Sequence, residues 1–256
     1  MKIKFMNLVI GFILSTLLTE LFAEEYFPNY PQGINLKYGI GNYSHIDEYI
    51  SKEKYSGTFP FLSVSWAKDH QRYVYKLALD YRYSKNIKNY TISTAVTQFS
   101  FNQGFIYPLK QRSLFNRELY LWMGPFTDLL FFYNKPDIAV SGFDYSQSFA
   151  ILFSAALNTE AVLPLNKFLQ LESAFKFSVL SLAGRIVDSE EDDAQPFKLL
   201  TLFSGLNTNF DLGIRYFLSR KISLNIAYRS EITRISAWEP LNSVSDNITI
   251  GLTGKF

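Results

Sequence analysis

The sequence predicts a closed antiparallel up-and-down β-barrel that crosses a membrane, with about ten strands and a range of eight to twelve. Three observations predict it. Segments along most of the chain alternate apolar and polar residues, as strands with one apolar face do. Aromatic residues make up 17% of the chain, with 24 Phe and 17 Tyr, although the mean hydropathy is +0.00. Long and short connections mostly alternate along the chain, which is typical of bacterial barrels.

The first 23 residues predict a cleaved export signal. Lys2 and Lys4 precede an apolar run from Phe5 to Leu18, and Ala23 offers a small residue for cleavage. The run is shorter than the roughly 20 residues that a helical span requires, so cleavage is favoured over the alternative of a retained anchor helix. The mature chain, residues 24–256, is then expected to form a single barrel domain.

Composition excludes several other classes of protein. The chain has no cysteine, which excludes a disulfide framework, a lipid-modified cysteine and a thiolate metal site. Removing Lys2, Lys4 and Glu20 with the signal leaves 23 basic and 22 acidic residues of the original 25 and 23. This balance gives no reason to expect nucleic acid as a partner.

Alternation divides the mature chain into ten predicted strands. Their approximate ranges are 31–43, 58–68, 73–83, 90–107, 117–133, 145–163, 169–179, 200–218, 222–233 and 247–256. In the fourth range the apolar face changes parity between Val96 and Phe99, which predicts a β-bulge near Thr97. The fifth range is apolar on both faces and contains Gly124 and Pro125, so its register stays open. Residues 44–57 are predicted to be a polar loop.

The third predicted strand carries the clearest membrane signal. Leucines occupy the middle of its apolar face, and tyrosines flank them at both ends: Tyr73, Tyr75, Tyr81 and Tyr83. At about 3.3 Å per residue and a tilt of about 40°, this strand spans roughly 25 Å, the height of the apolar band of a membrane barrel. We therefore predict that the four tyrosines form aromatic girdles at the two interfaces.

The last predicted strand is expected to close the barrel. One of its faces consists of apolar residues, namely Ile248, Ile250, Leu252 and Phe256. Pairing this strand with residues 34–43 would remove the open sheet edge. Gly254 leaves a gap in this apolar face, at the last position on that face before Phe256.

The signal, the ten alternating segments and the terminal Phe256 resemble small outer-membrane β-barrel proteins of Gram-negative bacteria. The resemblance covers the whole mature chain as a pattern, without a motif of one family. It implies location in the bacterial outer membrane, contact with outer-membrane lipid and lipopolysaccharide, and recognition of the last strand by the barrel-assembly machinery. Gly254 departs from that pattern, because those proteins often carry an aromatic residue at this position.

Charged residues on the inward parity predict a polar network in the lumen. They are Lys76, Asp80, Arg82, Glu172, Lys176, Asp211, Arg215, Arg229 and Glu231. In a barrel of about ten strands the lumen is narrow, and opposite charges can pair across strands as a structural core. The alternative is a narrow or gated pore lined by the same residues.

No catalytic residue, cofactor or metal site is predicted. Known outer-membrane hydrolases resemble one another in using a histidine near the outer rim, and His45 lies near Asp47 in the predicted outer loop. No nucleophile accompanies His45 at a defined spacing, so we interpret it as a solvated loop histidine; His70 falls in a turn at the opposite end. An acidic run, residues 188–193, is interpreted as a solvated loop in preference to a calcium site.

The sequence therefore predicts an integral outer-membrane barrel with a structural or surface-interaction role and a lumen mostly filled by polar side chains. A narrow porin-like channel for small solutes is the alternative, and a lipid or peptide hydrolase at the outer rim is the third possibility. A soluble periplasmic sandwich or lipid-binding barrel would need a different core. It would bury residues that we expect to face lipid: Leu200, Leu202, Leu206 and Phe210.

Overall fold

The computed structural model describes residues 32–255 apart from positions 49, 91, 110, 115–116, 138–146, 187–196, 203 and 237–239. The predicted signal, Phe256 and the acidic run 188–193 lie outside these residues. The strands are β1 (Gly33–Asp47), β2 (Ser51–Thr58), β3 (Phe61–Asp69), β4 (Val74–Lys88), β5 (Ser93–Pro108), β6 (Arg112–Leu114), β7 (Arg117–Asp137), β8 (Ser148–Pro164), β9 (Leu169–Ile186), β10 (Phe197–Thr201), β11 (Gly205–Phe217), β12 (Ile222–Ile235) and β13 (Leu241–Gly254). No helix long and apolar enough to cross a membrane occurs in this part of the chain.

These segments form a closed barrel of ten antiparallel strands, which confirms the predicted fold class. Two barrel strands are interrupted. β2 and β3 both pair with β1 and β4, and β10 and β11 both pair with β9. The short β6 pairs only with β7. Pairing of β1 with β13, from Ile34 opposite Gly254 to Asp47 opposite Leu241, closes the barrel as predicted.

Both ends of the described barrel chain lie at the same rim, which we call the terminal rim. Short connections at residues 70–73, 165–168 and 218–221 belong to this rim. The opposite rim, which we call the distal rim, carries the connection at 48–50 and those that include residues 138–146 and 187–196.

The predicted loop at residues 44–57 is wrong. β1 continues to Asp47 and β2 begins at Ser51, so the barrel wall extends toward the distal rim. The reason is that Tyr43, His45 and Asp47 alternate inward, each with no more than 2% exposure, and fill the lumen there. A strand whose inward face mixes aromatic and polar residues lacks the simple polar and apolar alternation from which strands are predicted.

The predicted bulge near Thr97 is also wrong. The register shift lies in the neighbouring strand, between Ser84 and Ile87 of β4, and β5 keeps one parity throughout. Val96 therefore points into the lumen and is fully buried. A second shift falls in β9 opposite Ala155 and Ala156 of β8.

Gly124 and Pro125 do not interrupt β7, because the residues from Tyr120 to Asn134 pair with β8 in one register. The glycine is required by close approach of the backbones. A Cβ atom at Gly124 would lie 1.9 Å from the carbonyl oxygen of Phe105. The register that the sequence left open is therefore regular.

The outward face of the barrel is apolar. Tyr38, Ile250 and Ile226 lie side by side on β1, β13 and β12, and each exposes between 57% and 60% of its surface. Ile248 and Leu252 flank Ile250 on the same outward face. An apolar belt that continues from strand to strand requires an apolar surrounding, as the lipid-facing surface of a membrane barrel does.

Of the four tyrosines of the predicted girdles, Tyr73 directly precedes β4, and Tyr75, Tyr81 and Tyr83 lie within it. Tyr81 and Tyr83 are exposed on the outward face toward the distal rim. Near the terminal rim, the rings of Tyr73 and Tyr75 pack 5.4 and 5.1 Å from the ring of Phe105. Both positions suit aromatic side chains at a boundary between lipid and water.

A charge on this outward belt should destabilise the barrel in lipid. We expect Ile250→Arg to lower the free energy of unfolding in lipid vesicles by about 2–4 kcal/mol, because the guanidinium would enter the apolar layer. Asn242→Arg, on the same face of β13 near the distal rim, is the matched control and should cost about 0–1 kcal/mol. Equal losses for the two variants would contradict a lipid-facing belt.

Candidate functional site in the barrel lumen

All nine charged residues predicted for the lumen lie on the inward parity of their strands. Four of them meet at the middle of the lumen. Arg82 Nη2 lies 2.5 Å from Glu231 Oε2, and Arg229 Nη2 lies 2.8 Å from Asp80 Oδ2 and 3.8 Å from Glu231 Oε2. These four residues, which we call the central ion-pair network, neutralise one another inside a buried environment.

Two uncharged residues complete the central ion-pair network. The guanidinium carbons of Arg82 and Arg229 lie 4.9 and 4.7 Å from the centre of the Phe61 ring, within the range of cation–π contacts. Gln98 accepts a hydrogen bond from Arg82 at 2.9 Å and donates one to Glu231 at 3.3 Å. The sequence did not single out Phe61 or Gln98, since neither residue type signals a lumen position.

Further ion pairs lie between the network and the terminal rim. Arg215 binds Glu172 through two hydrogen bonds, at 2.5 and 3.0 Å, and this bidentate geometry orients both groups. Lys176 Nζ lies 2.8 Å from Asp128 Oδ1.

Lys76 pairs with Glu160 on the far side of this part of the lumen. Asp128 and Glu160 were not predicted for the lumen, because the inward face of β7 around Asp128 is largely apolar and β8 carries few charges.

Many apolar side chains are buried in the lumen toward the distal rim. We call this group the apolar plug; it consists of Tyr43, Tyr55, Phe59, Ile87, Val96, Leu130, Phe132, Ala150, Leu152, Ala183, Leu200, Ile235 and Leu241. Leu200, predicted to face lipid, is only 5% exposed and points inward instead. The interruption between β10 and β11 changes the parity there, whereas Phe210 is exposed on the outward face as expected. Toward the distal rim the lumen therefore combines apolar side chains with a few buried polar ones.

The interpretation of His45 as a solvated loop histidine is also wrong. It is 1% exposed within β1, and its Nε2 lies 3.1 Å from Asn134 Nδ2 while its ring stacks on Tyr55 at 5.2 Å. Asp47 forms an ion pair with Arg185. His45 is thus a packed residue of the lumen, and the nearby carboxylate is already neutralised by a cation. His70 is exposed in its terminal-rim turn and stacks on Tyr73.

The part of the lumen nearest the terminal rim is hollow on one side, and on the other it is packed by a second apolar cluster that includes Ile106, Tyr120 and Trp122. Two adjoining cavities of about 150 and 130 Å³ lie there. Small inward residues, including Gly33, Gly213 and Ala227, line the larger one. Among the described residues no group of three or more metal-ligating side chains is present.

Removing one charge from the central ion-pair network should destabilise the barrel strongly. Glu231→Gln keeps the side-chain shape but leaves Arg82 and Arg229 short of negative charge, so we expect a loss of about 3–5 kcal/mol. Urea unfolding of the barrel in lipid vesicles measures it. Glu53→Gln is the control, because Glu53 is exposed and its hydrogen bond from Asn89 survives the change; the control should stay within about 0.5 kcal/mol. A similar small loss for both would contradict the network.

No protein-family model matches the chain, and no curated protein matches its sequence. Comparison of the structure does find outer-membrane proteins. The outer-membrane protease OmpT from Escherichia coli has a TM-score of 0.52 and 10% sequence identity, over 91% of this chain and 100% of OmpT. The translocator domain of the autotransporter NalP from Neisseria meningitidis has a TM-score of 0.45 and 10% identity, over 100% and 96% of the two chains.

Neisserial surface protein A has a TM-score of 0.39 and 15% identity, over 88% of this chain and 97% of its own. The similarity to the NalP domain and to this surface protein is too low to carry an argument. The similarity to OmpT, at 10% identity, concerns the fold and not the activity. The protein therefore has the fold of outer-membrane β-barrels.

Proposed function

We propose that this protein is an integral barrel of the bacterial outer membrane with a structural or surface-interaction role, and that it does not conduct solutes. The observation that carries this proposal is the blocked lumen. The apolar plug and the central ion-pair network lie one above the other along the barrel axis, and both consist of buried side chains. A continuous water-filled path requires a lining that leaves space for water, and neither layer leaves it.

The connections support an orientation with the terminal rim in the periplasm. Barrels with an even number of strands have both chain ends on the periplasmic side, where their turns are short. Three of the connections at the terminal rim, at 70–73, 165–168 and 218–221, are short in this way, whereas the one between β5 and β7 is longer. The distal rim would then face the outside of the cell.

Basic residues near the distal rim support contact with anionic lipid. Four exposed lysines lie on the adjacent strands β2 and β4: Lys52, Lys54, Lys85 and Lys88. They follow Tyr81 and Tyr83 on the way from the apolar belt to the distal rim. Phosphate groups of lipopolysaccharide would occupy this level of the membrane and would be attracted by the lysines.

Recognition by the barrel-assembly machinery stays a prediction, because Phe256 lies outside the described residues.

The geometry favours this proposal over a rim hydrolase. A general base must reach the proton that it abstracts, and His45 is enclosed within the lumen beneath the rim. Its neighbour Asp47 is bound by Arg185, so no carboxylate is available to orient the ring. The fold shared with OmpT does not change this, because function depends on the site and not on the fold.

The membrane location can be tested by fractionation. We expect the full-length protein, expressed in a Gram-negative host, to sediment with the outer membrane and to migrate faster in an unheated gel than after boiling. The shift arises because a closed barrel resists detergent. Recovery in the soluble periplasmic fraction without a shift would support the soluble alternative. Ile250→Arg is a useful companion, since a loss of membrane insertion there would link the location to the apolar belt.

The blocked lumen can be tested in planar bilayers. We expect pure refolded protein to produce no discrete channel openings. Replacing Phe59 and Phe132 of the plug together with the pair Arg82 and Glu231 of the network by alanine should produce openings, because this removes side chains from both blocking layers. Phe153→Ala, which removes an outward ring, is the matched control and should stay silent. Openings of the unchanged protein would support the porin-like alternative.

A further inference from the structure

The hollow part of the lumen has a definite origin in the sequence. Both cavities are lined by Lys37, Ser65, Lys76, Glu160, Ala174 and Asp211, so they adjoin each other. At Gly251, a Cβ atom would lie 2.9 Å from Lys37 Cγ and 3.0 Å from Asn35 Oδ1, so these side chains extend across the space that the glycine leaves. Lining residues include Gly33, where β1 begins, which places the larger cavity at the mouth of the terminal rim.

Most charges around the two cavities are neutralised by one another. Lys76 pairs with Glu160, Arg215 with Glu172, and Arg229 with Asp80. Two charges remain. Within residues 32–255 as described, neither Lys37 nor Asp211 has an ion pair within 4 Å, although the charges of Asp211 and Arg229 do interact.

Lys37 and Asp211 lie on opposite sides of the space. Lys37 belongs to β1 and Asp211 to β11, with β13 and β12 between them. Neighbouring strands are about 4.8 Å apart. Lys37 aligns with Arg215 of β11 through Gly251 and Asn225, and Asp211 lies four residues further along β11, so the two backbones are well separated along the wall. An unpaired ammonium and an unpaired carboxylate therefore face one cavity from separate walls.

Buried oxygen atoms without a donor point to the same place. Asn225 is 2% exposed and lines the larger cavity, and its Oδ1 atom has no hydrogen-bond partner. Asn35 Oδ1 and Asp211 Oδ1 are likewise buried and unpartnered. A buried acceptor without a donor costs about 1–3 kcal/mol. The cavity thus offers three acceptors and one ammonium to an occupant.

We infer that this cavity is a binding site for a small zwitterion that carries one ammonium and one carboxylate group, of the size of a small free α-amino acid. The ligand's carboxylate accepts from Lys37, and its ammonium donates to Asp211. It enters from the terminal rim, because the apolar plug closes the other end. The larger cavity, at about 150 Å³, has room for about five waters, which is enough for a small free amino acid.

A zwitterion suits the site better than a simple ion. An anion alone would leave the carboxylate of Asp211 unpaired, and a cation alone would leave Lys37 unpaired. Water hydrates both groups but supplies no charge to either. The ion pairs around Lys37 and Asp211 are each neutral. A ligand of zero net charge therefore leaves the net charge of the cavity unchanged.

Calorimetric titration of the refolded mature barrel in detergent tests the site, with glycine and alanine as probes and with acetate and methylammonium as single-charge analogues. We expect binding of the amino acids and binding at least about tenfold weaker for each analogue, because each analogue loses one charged hydrogen bond. The experiment needs neither a membrane location nor a given orientation, so its outcome is separate from that of the proposed function.

Variants decide whether the binding belongs to this cavity. Lys37→Gln and Asp211→Asn should each weaken alanine binding at least about tenfold. Ala174→Leu should abolish it by filling both cavities without removing a charge. Lys68→Gln is the matched control, because Lys68 is exposed on the outward face of β3 near the same rim. The heat-dependent gel shift checks that each variant is folded.

Three results would overturn the inference. One is the absence of binding heat from both glycine and alanine at up to about 10 mM, which would place the Kd above the millimolar range. Another is binding that Lys37→Gln, Asp211→Asn and Ala174→Leu leave unchanged. Equal binding of acetate and alanine would also overturn it, since Asp211 would then play no part.

Discussion

Closure of the sheet by β1 and β13 is the constraint on which the rest of the structure depends. In lipid, backbone N–H and C=O groups have no water to bind, so each must pair within the protein. The continuous register from Ile34 and Gly254 to Asp47 and Leu241 leaves no open edge. Because side chains alternate along a strand, closure also decides which parity faces inward. The charges in the lumen follow from this choice.

Those charges define the register more than they add to stability. Replacing a buried ion pair by apolar residues is often neutral or stabilising, so the central ion-pair network is weak evidence for a stability gain. A slip of β12 by one residue, however, would turn Arg229 and Glu231 toward lipid and leave Arg82 and Asp80 without partners. Only one register keeps all four paired, and Phe61 between the two guanidinium groups holds them in place.

The sequence predicted the strands whose two faces differ in polarity. β4 up to Ser84, β9 up to Ser178 and β13 alternate apolar and polar residues regularly. Prediction failed at the distal rim, because there many inward side chains are apolar. Val96 and Leu200 belong to the apolar plug, yet an inward leucine looks like an outward one in a sequence. The interruption between β10 and β11 and the shifts in β4 and β9 are backbone features that a residue pattern does not encode.

The two ends of the lumen differ: one is packed with side chains and the other contains cavities. Before Tyr43, the inward residues of β1 include the glycines Gly33, Gly39 and Gly41 together with Asn35 and Lys37, whereas Tyr43, His45 and Asp47 follow toward the distal rim. Two cavities remain toward the terminal rim, and the distal end is packed. The packed end stops passage, and the hollow end keeps unpaired polar groups in reach of the terminal rim. A lumen with this gradient suits capture of a small molecule from one side of the membrane better than transport across it.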